Sequence, residues 1–255
     1  MMIYITGDIH GSKIEVENRI AQINNPTEED IIIICGDAGL EYGNQIQGSC
    51  KKVMKKFPGS WIVLRGNHDT RYWRDHTSKT KNEIVPESKW HFEEKYNNSV
   101  LVQDKFPNIH YIKDIGGIYT FGEYNCLFIP GAYFIDKFYR LSKNLSYEYE
   151  EQLNYKEWKE LYEVVRKNVN KINFVIGHTF PICVEDKLQY LFLDFINQDS
   201  VDKSSEKWIN EIMSNGIYKS PNFKKYFGGH YHDDKILDSK HILIYKKVLK
   251  MKEYV

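Results

Sequence analysis

Asp8-Ile9-His10, Gly36-Asp37, Gly66-Asn67-His68-Asp69, Gly177-His178 and Gly229-His230-Tyr231-His232 are short polar groups, each met just after a brief apolar run and a glycine. Aspartate, asparagine and histidine offer oxygen and imidazole donors, the set that holds borderline divalent ions such as manganese, iron or zinc without any thiolate. A centre of two such ions wants one carboxylate to bridge them about 3.5 to 4 Å apart, and it makes hydroxide available from a shared water near neutrality. Asp37 is the bridge candidate, because it stands alone after its run with no neighbouring histidine. Asp8 and His10, two apart, can grip one ion together, and His232 would complete that shell. Asn67, His178 and His230 are the candidates for the second ion. His68 is then left without a metal role and could protonate a leaving oxygen or hold a transferred phosphoryl group.

A single aspartate or histidine after a strand is more often a cap or a satisfied polar group than a ligand. The ordered set carries the inference, since five of the 9 histidines fall within three residues after a glycine. The remaining histidines, His76, His91, His110 and His241, are read as ordinary structural residues.

The elements that must position these groups are five apolar runs: Ile3 to Ile5, Ile31 to Cys35, Trp61 to Leu64, Phe174 to Ile176, and Tyr226-Phe227. Ligands gather outside the carboxyl ends of strands in α/β sheets, where glycine lets backbone approach closely, so five such ends can converge on one site. Ser12 with Glu15 predicts a capping box, with Val16, Ile20 and Ile23 at helical spacing behind it. Ile46, Cys50, Val53 and Phe57 predict a second helix, ended by Pro58-Gly59. Between residues 108 and 129 the spacing predicts antiparallel strands turning at Gly116-Gly117 and Glu123-Tyr124-Asn125. Leu153, Trp158, Leu161 and Val165 predict a long amphipathic helix, and Ile242 to Tyr245 a closing strand. Residues 70–106 are charged, aromatic and weakly periodic, which predicts a lid or surface insertion beside the site. Gln198 to Glu206 reads as a polar loop. The expected whole is one α/β domain over residues 1–255, with mixed sheets rather than a purely parallel one.

Lysine plus arginine and aspartate plus glutamate both total 35. A balanced charge gives no general attraction to polyanions, so a nucleic-acid polymer is not the favoured partner. Lys51, Lys52, Lys55 and Lys56, and likewise Lys246, Lys247, Lys250 and Lys252, read as solvated faces. Tyr72, Trp73 and Trp90 read as satellite packing under a long loop. The 4 cysteines have no paired spacing, which fits a reducing cytoplasmic location. No export signal or membrane span is expected. Oligomeric state leaves no trace in the residues.

Taken in order, Asp-x-His, Gly-Asp, Gly-Asn-His-Asp, Gly-His and Gly-His-x-His resemble the calcineurin-like metallophosphoesterase superfamily from residue 7 to residue 232. The resemblance implies two mixed β-sheets packed as a sandwich flanked by helices. It also implies Asp8, His10, Asp37, Asn67, His178, His230 and His232 as metal ligands and His68 as the acid. The stretch Gly131 to Arg140 is similar to small bacterial and phage-borne members often labelled serine/threonine phosphatases. There Arg140, four residues from Asp136, is a candidate clamp on phosphate oxygens. Leu64 to Asp69 also resembles the phosphoprotein phosphatases and makes Arg65 a second candidate. Those phosphatases follow Gly-Asp with an aspartate that orients the histidine and an arginine that binds phosphate, whereas here Ala38-Gly39-Leu40-Glu41 follows. Asp69 or Glu41 is therefore the candidate for orienting His68.

The reading is a hydrolase with two divalent ions that cleaves phosphate esters, as a phosphomonoesterase or protein phosphatase-like enzyme, by attack of a metal-bridging hydroxide on a phosphorylated substrate of unknown class. A phosphodiesterase acting on nucleotides, cyclic nucleotides or nucleic acid is the alternative, and a metal-binding regulatory protein without turnover is a further one.

Overall fold

The computed structural model describes residues 1–255 except 43–44, 47, 78–89, 134–142, 144–149 and 193–200, and except the side chains of 42, 45–46 and 75–77. Among the described residues two large sheets face each other. The first runs β15 (Leu249–Lys250), β1 (Ile3–Thr6), β2 (Ile31–Ile34), β5 (Ser60–Val63), β8 (Phe106–Tyr111), β7 (Asn98–Gln103), β6 (Trp90–Lys95). The second runs β13 (Lys235–Ile236), β14 (His241–Leu243), β12 (Lys225–Gly228), β11 (Phe174–Gly177), β10 (Tyr124–Ile129), β9 (Gly117–Phe121). A small hairpin of β3 (Glu41–Tyr42) and β4 (Gln45–Ile46) lies apart. The expected sandwich of two mixed sheets is what forms.

Strand composition explains the layering. All four isoleucines of β2 are buried, as a strand covered on both faces requires. Side chains alternate, so Ile31 and Ile33 join Ile3, Ile5, Ile62 and Phe128 in the core between the sheets. Ile32 and Ile34 pack outward with Val16 of α1 (Lys13–Ala21) and with Cys50 and Val53 of α2 (Gly48–Met54). Across the second sheet, Trp158, Leu161 and Val165 of α4 (Tyr155–Asn168) and Ile209 and Ile212 of α5 (Ser204–Asn215) bury against Val175 and Leu127. Strands β1, β2 and β5 are mutually parallel, as are β10, β11 and β12. The five glycine-ended runs therefore finish at one edge of the sandwich.

Several expectations change. Residues 90–106 are not a surface insertion: β6 and β7 pair antiparallel and extend the first sheet, and α3 (Tyr72–Thr77) precedes them, while 78–89 lie outside the described residues. Gly116-Gly117 is not a hairpin turn, because β8 pairs with β5 and β7 whereas β9 belongs to the other sheet. The hairpin turn is Gly122-Glu123, since Phe121 opposes Tyr124. Ile46 sits in β4, so the second helix begins at Gly48. Ser204 to Glu206 open α5 rather than closing a loop. Ser12 accepts from the Glu15 amide, but the Glu15 carboxylate turns to Arg19, leaving half a capping box.

Lys51 is the largest departure from its expected solvated face. It is fully buried, donating to Glu41 Oε1 at 2.5 Å and Gln103 Oε1 at 3.2 Å. The Trp90, Phe106 and Tyr111 rings surround its ammonium at 5.2 to 5.9 Å. Burial pulls its pKa down against the pull of Glu41. Lys51→Met, which keeps the volume and withdraws the ammonium from a buried carboxylate, is expected to cost about 3 to 5 kcal/mol in urea unfolding. A loss no larger than that of Lys52→Met would refute the buried pair's importance.

Candidate metal centre

Each ligand loop owes its shape to a neighbouring loop. A Cβ on Gly66 would stand 2.1 Å from Asp37 Oδ1, and one on Gly229 would stand 2.3 Å from Asp8 Oδ1. Glycine at these positions lets carboxylates from β1 and β2 sit against the turns after β5 and β12. The backbone is also bent where ligands are needed. Among the described residues seven non-glycine residues have positive φ, and His10, Asp37, His230 and His232 are four of them. Such conformations cost about 1 to 3 kcal/mol each and persist only where the surroundings enforce them. Here the enforcement is partly visible: the amides of Ile9 and His10 both donate to the Asp37 carbonyl.

The first cluster joins the two ends of the motif series. Asp8 is buried, and its Oδ1 accepts from the His230 amide at 3.1 Å. Its Oδ2 lies 3.1 Å from His232 Nε2 and 3.8 Å from His10 Nε2, yet accepts no well-directed hydrogen bond. The two imidazole nitrogens are themselves 3.0 Å apart. A buried carboxylate oxygen without a donor, faced by two imidazole nitrogens, is the arrangement a cation satisfies. Tyr245 stacks on His232 at 4.7 Å and 15° and sets its plane.

In the second cluster Asn67 Oδ1 lies 2.8 Å from His178 Nε2 and 3.0 Å from His230 Nδ1. His178 is buried, and its Nδ1 donates to the Cys35 carbonyl at 2.8 Å, which turns Nε2 toward Asn67 and, at 3.4 Å, toward Asp37 Oδ1. Such a hydrogen bond fixes the tautomer that a metal-binding histidine needs. Without an ion, burial pulls His178 down, but the Asp37 and Asp8 carboxylates outweigh it and raise its pKa to about 9. Burial likewise pushes the Asp37 carboxyl up, and His178, His68 and His10 hold it well below the usual carboxylate range. Desolvation, then the charge on His178, pulls His230 down to about 3. Donor atoms of Asp8, Asp37 and His178 lie within 4.8 Å of one another, as do those of His10, Asp37 and His68, so Asp37 belongs to both halves of the site.

The other predicted site residues fall into place around this centre. The His68 amide donates to Asp37 Oδ1 at 2.7 Å, and its ring lies 5.1 Å from that of His10, facing the cavity. Asp69 is fully buried and accepts from Gly66, Ala38 and Gly39 amides and from the Tyr72 hydroxyl. It ties the Asp37 loop to the Asn67 loop, and these bonds occupy both its oxygens. Glu41 is engaged by Lys51. Arg65, a candidate phosphate clamp, is instead buried behind the site with Nη1 on the Glu151 carbonyl at 2.9 Å. Arg140 and Asp136 lie outside the described residues.

Two positioning residues escaped the sequence reading. Tyr245 is one. Arg19 is the other: buried, it donates to Thr6 Oγ1 at 2.8 Å, the Tyr245 carbonyl at 2.9 Å and the Asp8 carbonyl at 3.4 Å. Its place on the Val16-Ile20-Ile23 stripe was the available signal, a cation on an apolar face.

The centre opens into a cavity of about 430 Å³. Asp37, Asn67, His68, His230 and His232 line one side; Phe180, Ile182, Leu191 and Phe192 belong to an apolar extension. The donor set, the orphaned Asp8 oxygen and the tautomer of His178 all fit divalent ions.

A family model described as calcineurin-like phosphoesterase matches residues 1–234. No curated protein matches the chain. A solved structure, the phosphopantetheinyl hydrolase from Mycobacterium tuberculosis, is similar at 11% identity and a TM-score of 0.44, over 96% of this chain and 90% of that one. Among the described residues no helix is long and apolar enough to cross a membrane.

Two outcomes are expected from this geometry. Asp69→Asn puts an amide N–H₂ among donors and should weaken metal binding about 10- to 100-fold, read by calorimetric titration; unchanged affinity would refute the loop-tying role. His178, with its folded pKa above the ordinary 6.5, stabilises the metal-free fold fully below that value, and the stabilisation is lost as pH rises through about 9. Metal uptake near neutrality should therefore release about one proton, measurable by calorimetry in buffers of differing ionisation enthalpy. No proton release would contradict it.

Proposed function

The chain belongs to the calcineurin-like phosphoesterase family and its activity is metal-dependent hydrolysis of phosphate esters; within that activity we propose a dinuclear centre acting on phosphate monoesters. The observation that carries this reading is the meeting of Asp8 Oδ2, Asp37 Oδ1 and Asn67 Oδ1 with the imidazoles of His10, His178, His230 and His232 beside one cavity. Asp8, His10 and His232 would hold one ion, Asn67, His178 and His230 the other, and Asp37 both. Bound there, two divalent ions supply hydroxide near neutrality and neutralise charge on the phosphoryl oxygens.

The chain's own contribution is placement and proton delivery. Asp69 and the Gly66 and Gly229 turns hold the ligand carboxylates in register, and Cys35 fixes the His178 tautomer. His68 lines the cavity beside the ligands, and its ring is the group placed to give a proton to the departing alkoxide. One observation favours the diesterase reading as a second possibility. Among the described cavity-lining residues Lys203 is the sole lysine or arginine, and it is tied to Glu185, so no side chain there is set aside for the extra charge of a monoester.

The test is metal analysis with steady-state rates on nitrophenyl phosphate and bis-nitrophenyl phosphate. Faster turnover of the monoester supports the leading reading; faster turnover of the diester overturns it. His68→Ala is expected to lower kcat about 10²- to 10⁴-fold on alkyl phosphates and much less on nitrophenyl phosphate, whose leaving group needs no proton. Equal losses on both would remove His68 as the acid.

A further inference from the structure

The cavity is larger than a phosphoryl group and two ions require, and its far end is built differently. Phe180, Ile182, Leu191, Phe192 and Tyr231 furnish an apolar chamber contiguous with the ligand histidines. Three rings form its arc, Tyr231 lying 6.3 Å from both Phe180 and Phe192. Among the described lining residues of this end the buried ionisable group is a carboxyl. Glu206, in the first turn of α5, lines the cavity and is only 8% exposed. Its Oε1 accepts from Thr179 Oγ1 at 3.0 Å, and its Oε2, buried, has no hydrogen-bond partner among the described residues. The other charges at this end, Lys203 and Glu185, neutralise each other.

A pocket of this kind, mostly apolar with few convergent polar groups, binds a compact organic group and orients it through those polar contacts. A carboxyl oxygen left buried without a donor costs free energy that an incoming N–H would recover. We infer that this chamber receives the alcohol portion of the substrate, and that it selects a compact apolar ring carrying an N–H donor, which pairs with Glu206. The inference rests on the phosphoesterase reading for the word substrate, but the chamber's preference is a property of these residues alone. Burial pushes the Glu206 carboxyl up to about 7, in keeping with a group short of donors.

Binding separates this inference from the hydrolase reading. The metal-loaded full-length protein is titrated calorimetrically with 5-amino-1-naphthol and with 1-naphthol, in buffer more alkaline than the Glu206 titration. The amino compound is expected to bind about tenfold tighter. Glu206→Gln keeps the acceptor for Thr179 and turns the other atom into a donor, so the tenfold preference should vanish or reverse. Leu191→Asn should weaken both ligands together, and it serves as the second variant if the first does not fold. Equal affinity of the wild-type protein for the two naphthols, or no binding of either, overturns the inference. The two naphthyl phosphates should follow the same order as substrates. The binding pattern without turnover of any ester would count against the hydrolase reading and leave the chamber's selectivity standing.

Discussion

Lone pairs that cannot coexist without positive charge between them are the constraint on which this structure turns. Asp8 Oδ2, Asp37 Oδ1 and Asn67 Oδ1 are buried and converge with the buried His178 ring, while the exposed His10 and His232 close the group from the solvent side. The same carboxylates raise the pKa of His178. Around that point the rest follows. Left-handed backbone at four candidate ligands, glycines with no room for a Cβ and the buried Asp69 each hold a donor atom where it would not rest by itself.

Most of the candidate centre stands out in the sequence because its grammar is local. A strand, a glycine and a side chain able to bind metal lie within a few residues of each other, so the candidate ligands are also the residues that betray the turn. The two-sheet sandwich, by contrast, came from the family resemblance, and the apolar runs alone could not say which strands share a sheet. The crossover at Gly116-Gly117 shows why: a pair of glycines reads alike whether the next strand folds back or leaves for the opposite sheet. Strand β6 was missed for another reason. It is an edge strand with little buried on either face, so selection for alternating apolar residues is absent and Trp90 to Lys95 shows no period.

Buried cations were the least legible feature. Lys51 belongs to a basic run that would ordinarily face water, and what makes it a core residue is supplied by Glu41, Trp90, Gln103 and Tyr111, distant along the chain. Arg19 sits on a helical stripe whose apolar members drew attention away from it, yet it links that helix to the carbonyls of Asp8 and Tyr245. In both cases the ion's worth lies in the hydrogen bonds it completes, and those partners are brought together only by the tertiary fold.

Asp8 and His230 are 222 residues apart and meet through a single hydrogen bond, one at the end of a strand in the first sheet, the other after a strand in the second. The candidate ligands Asp8, His10 and Asp37 hang from one slab, and His178, His230 and His232 from the other. An ion bound between them would be a rivet through the sandwich, its binding energy added to the adhesion of one sheet for the other. Such a rivet would add to the apolar adhesion that Ile33, Ile62, Phe128 and Ile176 already supply between the sheets.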